Sequence, residues 1–418
     1  MTSPQPQATQ AFGQNVQYLP RISIDTFLVS ENANEAMHVV ADDRRLSKTK
    51  VAFQGNGVSK AAEHYATNKT PNLIILEADV EREAMFGHLN RLASQCPQNT
   101  NVIVIGPFND ISTYRTLMEQ GVDDYLVSPV SDKELLSSIS KIYSEKKKQK
   151  LGRISAFYGT RGGSGSSTIA HNVASILSQD STSNIMLIDV DYPFGTAAIN
   201  LNIDNDHGAE EMLSNQNNID EGFLDRISIR YSKNLRVIGA GASFDQVFSV
   251  GKQFVTDIVD AIHASACHAI IDLPTTWSER EAQFLKAADD IILTATPDLS
   301  SMKNTKQLVE HCVRTRPNDP LPLLVLNQVG MPKRPEINRQ DFAAAVRLNP
   351  SVTVGFDANI FGKAANNGRT IYETAPKSAT SKAMADIANL LTRHRSDSMS
   401  TKAPRPLSLW GRLIKRIQ

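Results

Sequence analysis

The stretch RISAFYGTRGGSGSSTIAHNVA, Arg153 to Ala174, joins an apolar β-branched run to a Gly-rich turn and then to a helical pattern. Glycines let backbone N–H groups turn inward and approach an anion closely, and a helix N-terminus adds partial positive charge at the same spot. That combination serves phosphate binding. A Gly-rich turn alone is a weak signal, but here two acidic strand ends follow in order. IMLIDVD ends in Asp189 and Asp191, and HAIIDLP carries Asp272. The turn reads Arg161-Gly162-Gly163-Ser164-Gly165-Ser166-Ser167-Thr168, with hydroxyls, one guanidinium and no lysine.

Short β-branched apolar runs alternate with amphipathic stretches along the chain. ISIDTFLVS, KVAFQG, NLIILEA, NVIVIGP and DDYLVSP are strand candidates in a first region. RISAFYG, IMLIDVD, LRVIGA, AIIDLP, IILTATP and LPLLVLN are candidates in a second. Fully apolar strands separated by helices indicate parallel sheets covered on both faces. The pattern divides the chain into a disordered polar tail over 1–20, an α/β domain over 21–145, a basic linker over 146–152, a second α/β domain over 153–395 and a basic tail over 396–418. No repeat of solenoid period is present.

The 418 residues carry 44 Lys+Arg against 44 Asp+Glu. Zero net charge argues against a protein that coats nucleic acid by bulk charge. No run of about 18 apolar residues exists to span a bilayer, and the N-terminus lacks the charged and apolar regions of a signal peptide. Cys96, Cys267 and Cys312 are widely spaced and odd in number, which predicts reduced, mostly buried thiols in a cytoplasmic protein. The charge is unevenly spread. KIYSEKKKQKLGR, Lys141 to Arg153, carries a net +5, and 399–418 carries +5 with no acid. In that tail Leu407, Trp410, Leu413, Ile414 and Ile417 recur at helical spacing, with Arg412, Lys415 and Arg416 at other angles. A short basic amphipathic helix with Trp reads as an interfacial membrane anchor.

The first region resembles the receiver domain of response regulators in its five βα units, but not in its chemistry. A working receiver neutralises an acyl phosphate with a cation held by an acidic pair and with a lysine. Ser30 and Glu31 stand at the acidic pair, Glu77 at the acceptor Asp, Gly106 at the usual Ser/Thr, and Ser128 before Pro129 at the lysine. These departures predict a pseudo-receiver used for docking or dimerisation. Glu77 is either an ordinary acid at a strand end or a pseudo-phosphoacceptor that mimics the phosphorylated state.

The second region resembles the deviant Walker A ATPases of the ParA/MinD family, whose loop reads Lys-Gly-Gly-x-Gly-Lys-Ser/Thr-Thr. Arg161 replaces the signature lysine, and Ser166 replaces the P-loop lysine. DVDYPFGTAAINLNID, TATPDLSSMKNTKQL, LVLNQVGMPKRPEI and FGKAANNGRTIYE look like the CpaE/TadZ branch of Tad/Flp type IVc pilus assembly proteins. The fold this implies is α/β, with a receiver-like (flavodoxin-like) domain followed by a ParA/MinD-like P-loop three-layer α/β/α domain with a mainly parallel sheet.

The resemblance also implies roles. Gly162, Gly163 and Gly165 shape a loop that binds ATP together with Ser164 and Ser166. Ser167 supplies a hydroxyl to Mg2+, and Thr168 supports the phosphates. Asp191 orients the attacking water, and Asp272 holds Mg2+ through water. Arg161 reaches across a nucleotide-sandwich homodimer, and Asn327 sits where the family reads adenine. With Ser166 in place of a lysine, hydrolysis should be slow or absent. The functional expectation is a dimeric spatial organiser for pilus or secretion machinery, in the cytoplasm at a polar site on the inner membrane, with nucleic acid disfavoured. A DNA-partition ParA-type ATPase and a response-regulator-like signalling protein are the alternatives.

Overall fold

The computed structural model describes residues 19–397 apart from 20–21, 98–99, 147–151, 181–183, 193, 204–207, 217, 240–250 and 266. The proposed membrane-tail residues Leu407, Trp410, Leu413, Ile414 and Ile417 lie outside the described residues, as does most of the basic cluster at 146–150.

Five strands form the first sheet: β1 Ser23–Phe27, β2 Lys50–Phe53, β3 Leu73–Glu77, β4 Asn101–Gly106 and β5 Asp124–Val127. Their order is β2-β1-β3-β4-β5 and every pairing is parallel, which is a doubly wound arrangement. Residues alternate across the sheet as strand geometry requires. Leu73 and Ile75 pack with Met37, Val40 and Leu136 on one face. Ile74 and Leu76 pack with Val58, Met85 and Leu89 on the other. Leu19, expected in the polar tail, is buried in this core, and its N–H bonds the Arg45 carbonyl at 3.1 Å. The apolar side chain removes itself from water, so Leu19 itself belongs to the core.

The second sheet contains β6 Arg153–Gly159, β7 Ile185–Asp189, β8 Ile229–Arg230, β9 Leu235–Ile238, β10 His268–Leu273, β11 Asp290–Ala295, β12 Leu323–Val329 and β13 Pro350–Gly355. Their order is β13-β12-β11-β6-β10-β7-β9-β8, parallel except for the β8–β9 edge pair. The chain is thus α/β with a mostly parallel sheet in its larger part. The sequence reading misses β8 and β13. β13 opens on Pro350 and exposes alternate residues. Proline is tolerated there because β13 pairs with β12 at the sheet edge.

The two sheets meet through ions. Arg44 and Arg45 lie in the 3-10 turn Arg44–Leu46, just before β2. The Arg44 Nε donates to Asp319 Oδ2 at 2.9 Å and its NH1 to the Ala287 carbonyl at 2.9 Å. Arg45 pairs with the other oxygen of Asp319, and Arg316 Nε donates to Asp319 at 3.0 Å. Lys48 pairs with Asp260 at 2.5 Å. Arg44 NH1 also lies 3.3 Å from Asp289 Oδ1, and Asp289 and Asp319 precede β11 and β12, so this contact sits at the N-terminal edge of the second sheet. The Gly-rich loop leaves the opposite edge.

Candidate functional site: a phosphate-type loop above two buried carboxylates

β6 runs straight into the loop at 160–165, and the helix Ser166–Leu177 leaves it. Gly163 and Gly165 have φ of +74° and +88°, in the left-handed region that favours glycine. At Gly165 a Cβ would also come within 2.4 Å of the Asn327 Nδ2. The helix begins at Gly165 with no side chain capping its first turn, so the orphan N–H groups of that turn face the loop mouth. Glycine therefore serves both dihedral freedom and close approach here.

Three side-chain amides brace the loop from below. Asn327 Nδ2 donates to the Ser164 carbonyl, Gln328 Nε2 to the Gly163 carbonyl and Asn304 Nδ2 to the Thr160 carbonyl, each at 2.8 Å. Asn327 is buried. What the structure shows of it is a loop brace, a different contact from the one expected of it with a base.

Ser164 and Ser166 are buried at the loop, and neither Oγ has a hydrogen-bond partner. Ser167 and Thr168 are half-buried at the start of the helix. Asp272, at 1% exposure, leaves its Oδ1 without a partner. Buried polar atoms lacking a partner are rare in folded proteins, because each forfeits solvation without compensation. Ser164 and Ser166 lie at the loop and Asp272 on β10, the strand beside the one that feeds it, so hydroxyls suited to a polyanion and a carboxylate suited to a divalent cation fit ATP and Mg2+. Asp191 is half-buried at the mouth. Its pKa is raised, first by burial and then by the Asp272 charge.

Asp189 and Asp272 are register partners on β7 and β10. Asp189 accepts the Asp191 N–H and the Ala197 N–H, both at 3.0 Å. Its pKa is raised, by burial first and by Asp272 second. His171, on the helix that leaves the loop, places Nε2 3.2 Å from Asp272 Oδ2. His171, Asp189 and Asp272 form a fully buried group whose candidate ligand atoms all lie within 4.8 Å of one another.

Arg161 is tethered within its own chain. Its Nε bonds Thr296 Oγ1 at 3.1 Å, and its NH2 lies 3.1 Å from Asp298 Oδ2. Burial alone would raise the Asp298 pKa, but the Ser301 N–H, the Thr296 hydroxyl and Arg161 outweigh it and lower it. Sequence reasoning passes over His171, Thr296 and Asp298. Asp298 follows Pro297 as a helix N-cap, and the N-cap pattern was its available signal.

Glu77, at the C-terminal end of β3, is buried. Its Oε2 accepts the Val29 and Ser30 N–H groups at 2.6 and 2.8 Å. That carboxylate holds the turn after β1 in place. Ser30 caps the helix Glu31–Ala41 and accepts from the Ala33 N–H. A carboxylate engaged by two backbone donors is a poor nucleophile. Incubation with acetyl phosphate and Mg2+ should leave the chain unlabelled by intact mass spectrometry. A covalent phosphate on Glu77 or a neighbour would contradict this.

Residues 152–319 match the protein family described as AAA domain. The chain is 25% identical over 167 residues to the virulence plasmid ParA family protein pGP5-D of Chlamydia psittaci, covering 38% of this chain and 62% of that protein. It thus spans about three-fifths of that curated relative. The pilus assembly protein CpaE from Caulobacter crescentus CB15 is 31% identical over 30% of this chain and 97% of that one, with a TM-score of 0.30. The ParA family ATPase from Chlorobium tepidum TLS superposes with a TM-score of 0.52 at 22% identity, over 58% of this chain and 100% of that one. Residues 152–319 thus resemble AAA domains, and they lie within a mostly parallel α/β fold like that of the Chlorobium tepidum ParA family ATPase.

Proposed function

We propose that the chain is a nucleotide-gated dimer that binds ATP with Mg2+ at the loop 161–168, hydrolyses it slowly or not at all, and organises Tad/Flp-type pilus machinery at the inner membrane. The observation that carries the nucleotide reading is the set of unpartnered buried atoms, Ser164 Oγ and Ser166 Oγ at the glycine loop and Asp272 Oδ1 on the strand beside the one that feeds it. Gly162, Gly163 and Gly165 admit the phosphates to the backbone. Ser167 and Asp272 would hold the cation, and Thr168 the phosphate oxygens. Bound Mg2+ would supply charge neutralisation between the phosphates. Asp191, at the mouth, would orient a water.

The pilus assignment rests on the sequence resemblance to the CpaE/TadZ branch. It is supported by the order of a doubly wound unit followed by a ParA-type unit. The first unit acts in this reading as a pseudo-receiver docking module, because Glu77 is engaged by the turn after β1. The basic tail with Trp410 would hold the dimer to the membrane, and two copies would bind more strongly through avidity. Asn327 would lie under the base while bracing the loop.

Arg161 completes the partner's site in this account, so it must first leave Asp298. Asp298→Ala should lower the ATP concentration that drives dimerisation several-fold, measured by analytical ultracentrifugation across an ATP series. An unchanged or raised midpoint would refute the tether. The nucleotide reading is tested by equilibrium binding of a fluorescent ATP analogue with Mg2+. No saturable binding to the wild-type chain would end it. A DNA-partition role is the second reading, favoured by the match to a plasmid ParA family protein. Salt-dependent mobility shift of duplex DNA by the ATP-bound chain would select it.

A further inference from the structure

We propose that His171 is a positioning residue that fixes which oxygen of Asp272 is offered to the cation, an inference that rests on the nucleotide reading above. The side chain is one of several polar groups buried on its helix, with Asn172 and Ser175, and it is the one that faces Asp272. The helix Ser166–Leu177 buries Ile169, Ala170, Val173 and Ala174, and His171 lies among them at 1% exposure. An imidazole costs free energy to bury unless its nitrogens are hydrogen-bonded. Both are. Asn200 Nδ2 lies 3.1 Å from Nδ1, and Asp272 Oδ2 lies 3.2 Å from Nε2. An amide N–H donated to Nδ1 makes Nδ1 the acceptor and leaves the ring proton on Nε2, which donates to Asp272.

The bookkeeping of carboxylate oxygens then becomes specific. Asp189 and Asp272 are adjacent across β7 and β10 and carry four oxygens. Asp189 Oδ1 and Oδ2 each accept a backbone N–H, and Asp272 Oδ2 accepts from His171. Asp272 Oδ1 is left buried without a partner. A carboxylate with one oxygen held cannot swing, so the other is presented in one direction. Partners behind a ligating carboxylate orient it in this way, and their loss weakens metal affinity about 10–100-fold. Asn200 also bonds Thr196 Oγ1 at 3.2 Å. The relay therefore runs from the end of β10 into the segment that follows Asp191.

The full chain is titrated with Mg2+ at a fixed concentration of fluorescent ATP analogue, comparing wild type, His171→Gln and His171→Met. The two substitutes are similar in volume, but only Gln carries an N–H. His171→Met should raise the Mg2+ midpoint at least tenfold while binding in EDTA stays as in wild type, and His171→Gln should recover most of the loss. Thermal melts of the two variants establish that they are comparably folded. A Met midpoint within twofold of wild type overturns the proposal, and so does a Gln variant as impaired as Met, which would mark His171 as mere packing. If the wild type itself binds no nucleotide, the functional reading fails, and the role of His171 fails with it.

Discussion

Asp319→Ala is expected to destabilise the chain by about 3–5 kcal/mol, the usual cost of removing one partner from a buried ion pair. Asp319 is shared by Arg44, Arg45 and Arg316, and the three guanidinium groups are nearly as buried as the carboxylate. Deleting it strips the shared anion from all three: Arg44 keeps Asp289 and Arg45 keeps Asp43, while Arg316 is left with backbone carbonyls. Burial alone would raise the Asp319 pKa, but Arg44, Arg316 and Arg45 outweigh it and hold the carboxyl well below its usual range. The sign of the pH dependence follows. A folded pKa below the unfolded one gives stability that is fully present above about pH 4 and is lost as pH falls through the folded value. The difference between wild type and variant in urea unfolding should therefore be constant from about pH 5 to pH 8 and shrink in stronger acid. A difference below about 1 kcal/mol at neutral pH would show that the sheets do not depend on this contact.

Ser166→Lys is expected to raise ATP turnover roughly 10²-fold, because one preorganised phosphate donor is worth about 10²–10³ in rate. Ser166 opens the helix at the loop, and its hydroxyl is buried and without a partner. A neutral hydroxyl cannot stabilise the charge that develops on a transferred phosphoryl group as a lysine ammonium does. The control is Ser166→Met, a neutral side chain of similar length, which should bring no gain in turnover. If Ser166→Lys binds the nucleotide and turns over no faster, the missing lysine does not limit hydrolysis.

The loop and its acidic partners were legible because glycine spacing, helix start and strand-end acids are local features of the chain. Ten of the strands were legible for a similar reason: most are buried parallel strands, which read as continuous apolar runs, and β2 and β5 keep short apolar runs though partly exposed. β9 was legible too. β13 was not, since Pro350 reads as a breaker and its alternate residues face solvent. His171 was not legible because nothing near it in sequence marks a charged partner. Asp272 lies 101 positions away and reaches it through sheet register. The tether of Arg161 to Asp298 and the Arg44–Asp319 clamp share this character. Each pairs groups that only the completed fold brings together.

The receiver-type departures were likewise readable residue by residue, but their consequence was not. That Glu77 is held by the Val29 and Ser30 amides depends on where β1 ends relative to β3.

The central claim is that nucleotide at this loop gates dimerisation. Size-exclusion chromatography with light scattering, run with ATP and Mg2+, with ADP and without nucleotide, tests it most directly. The account predicts a species near the 45.9 kDa chain mass without nucleotide, and about twice that mass with ATP. The same mass in all three conditions would contradict it.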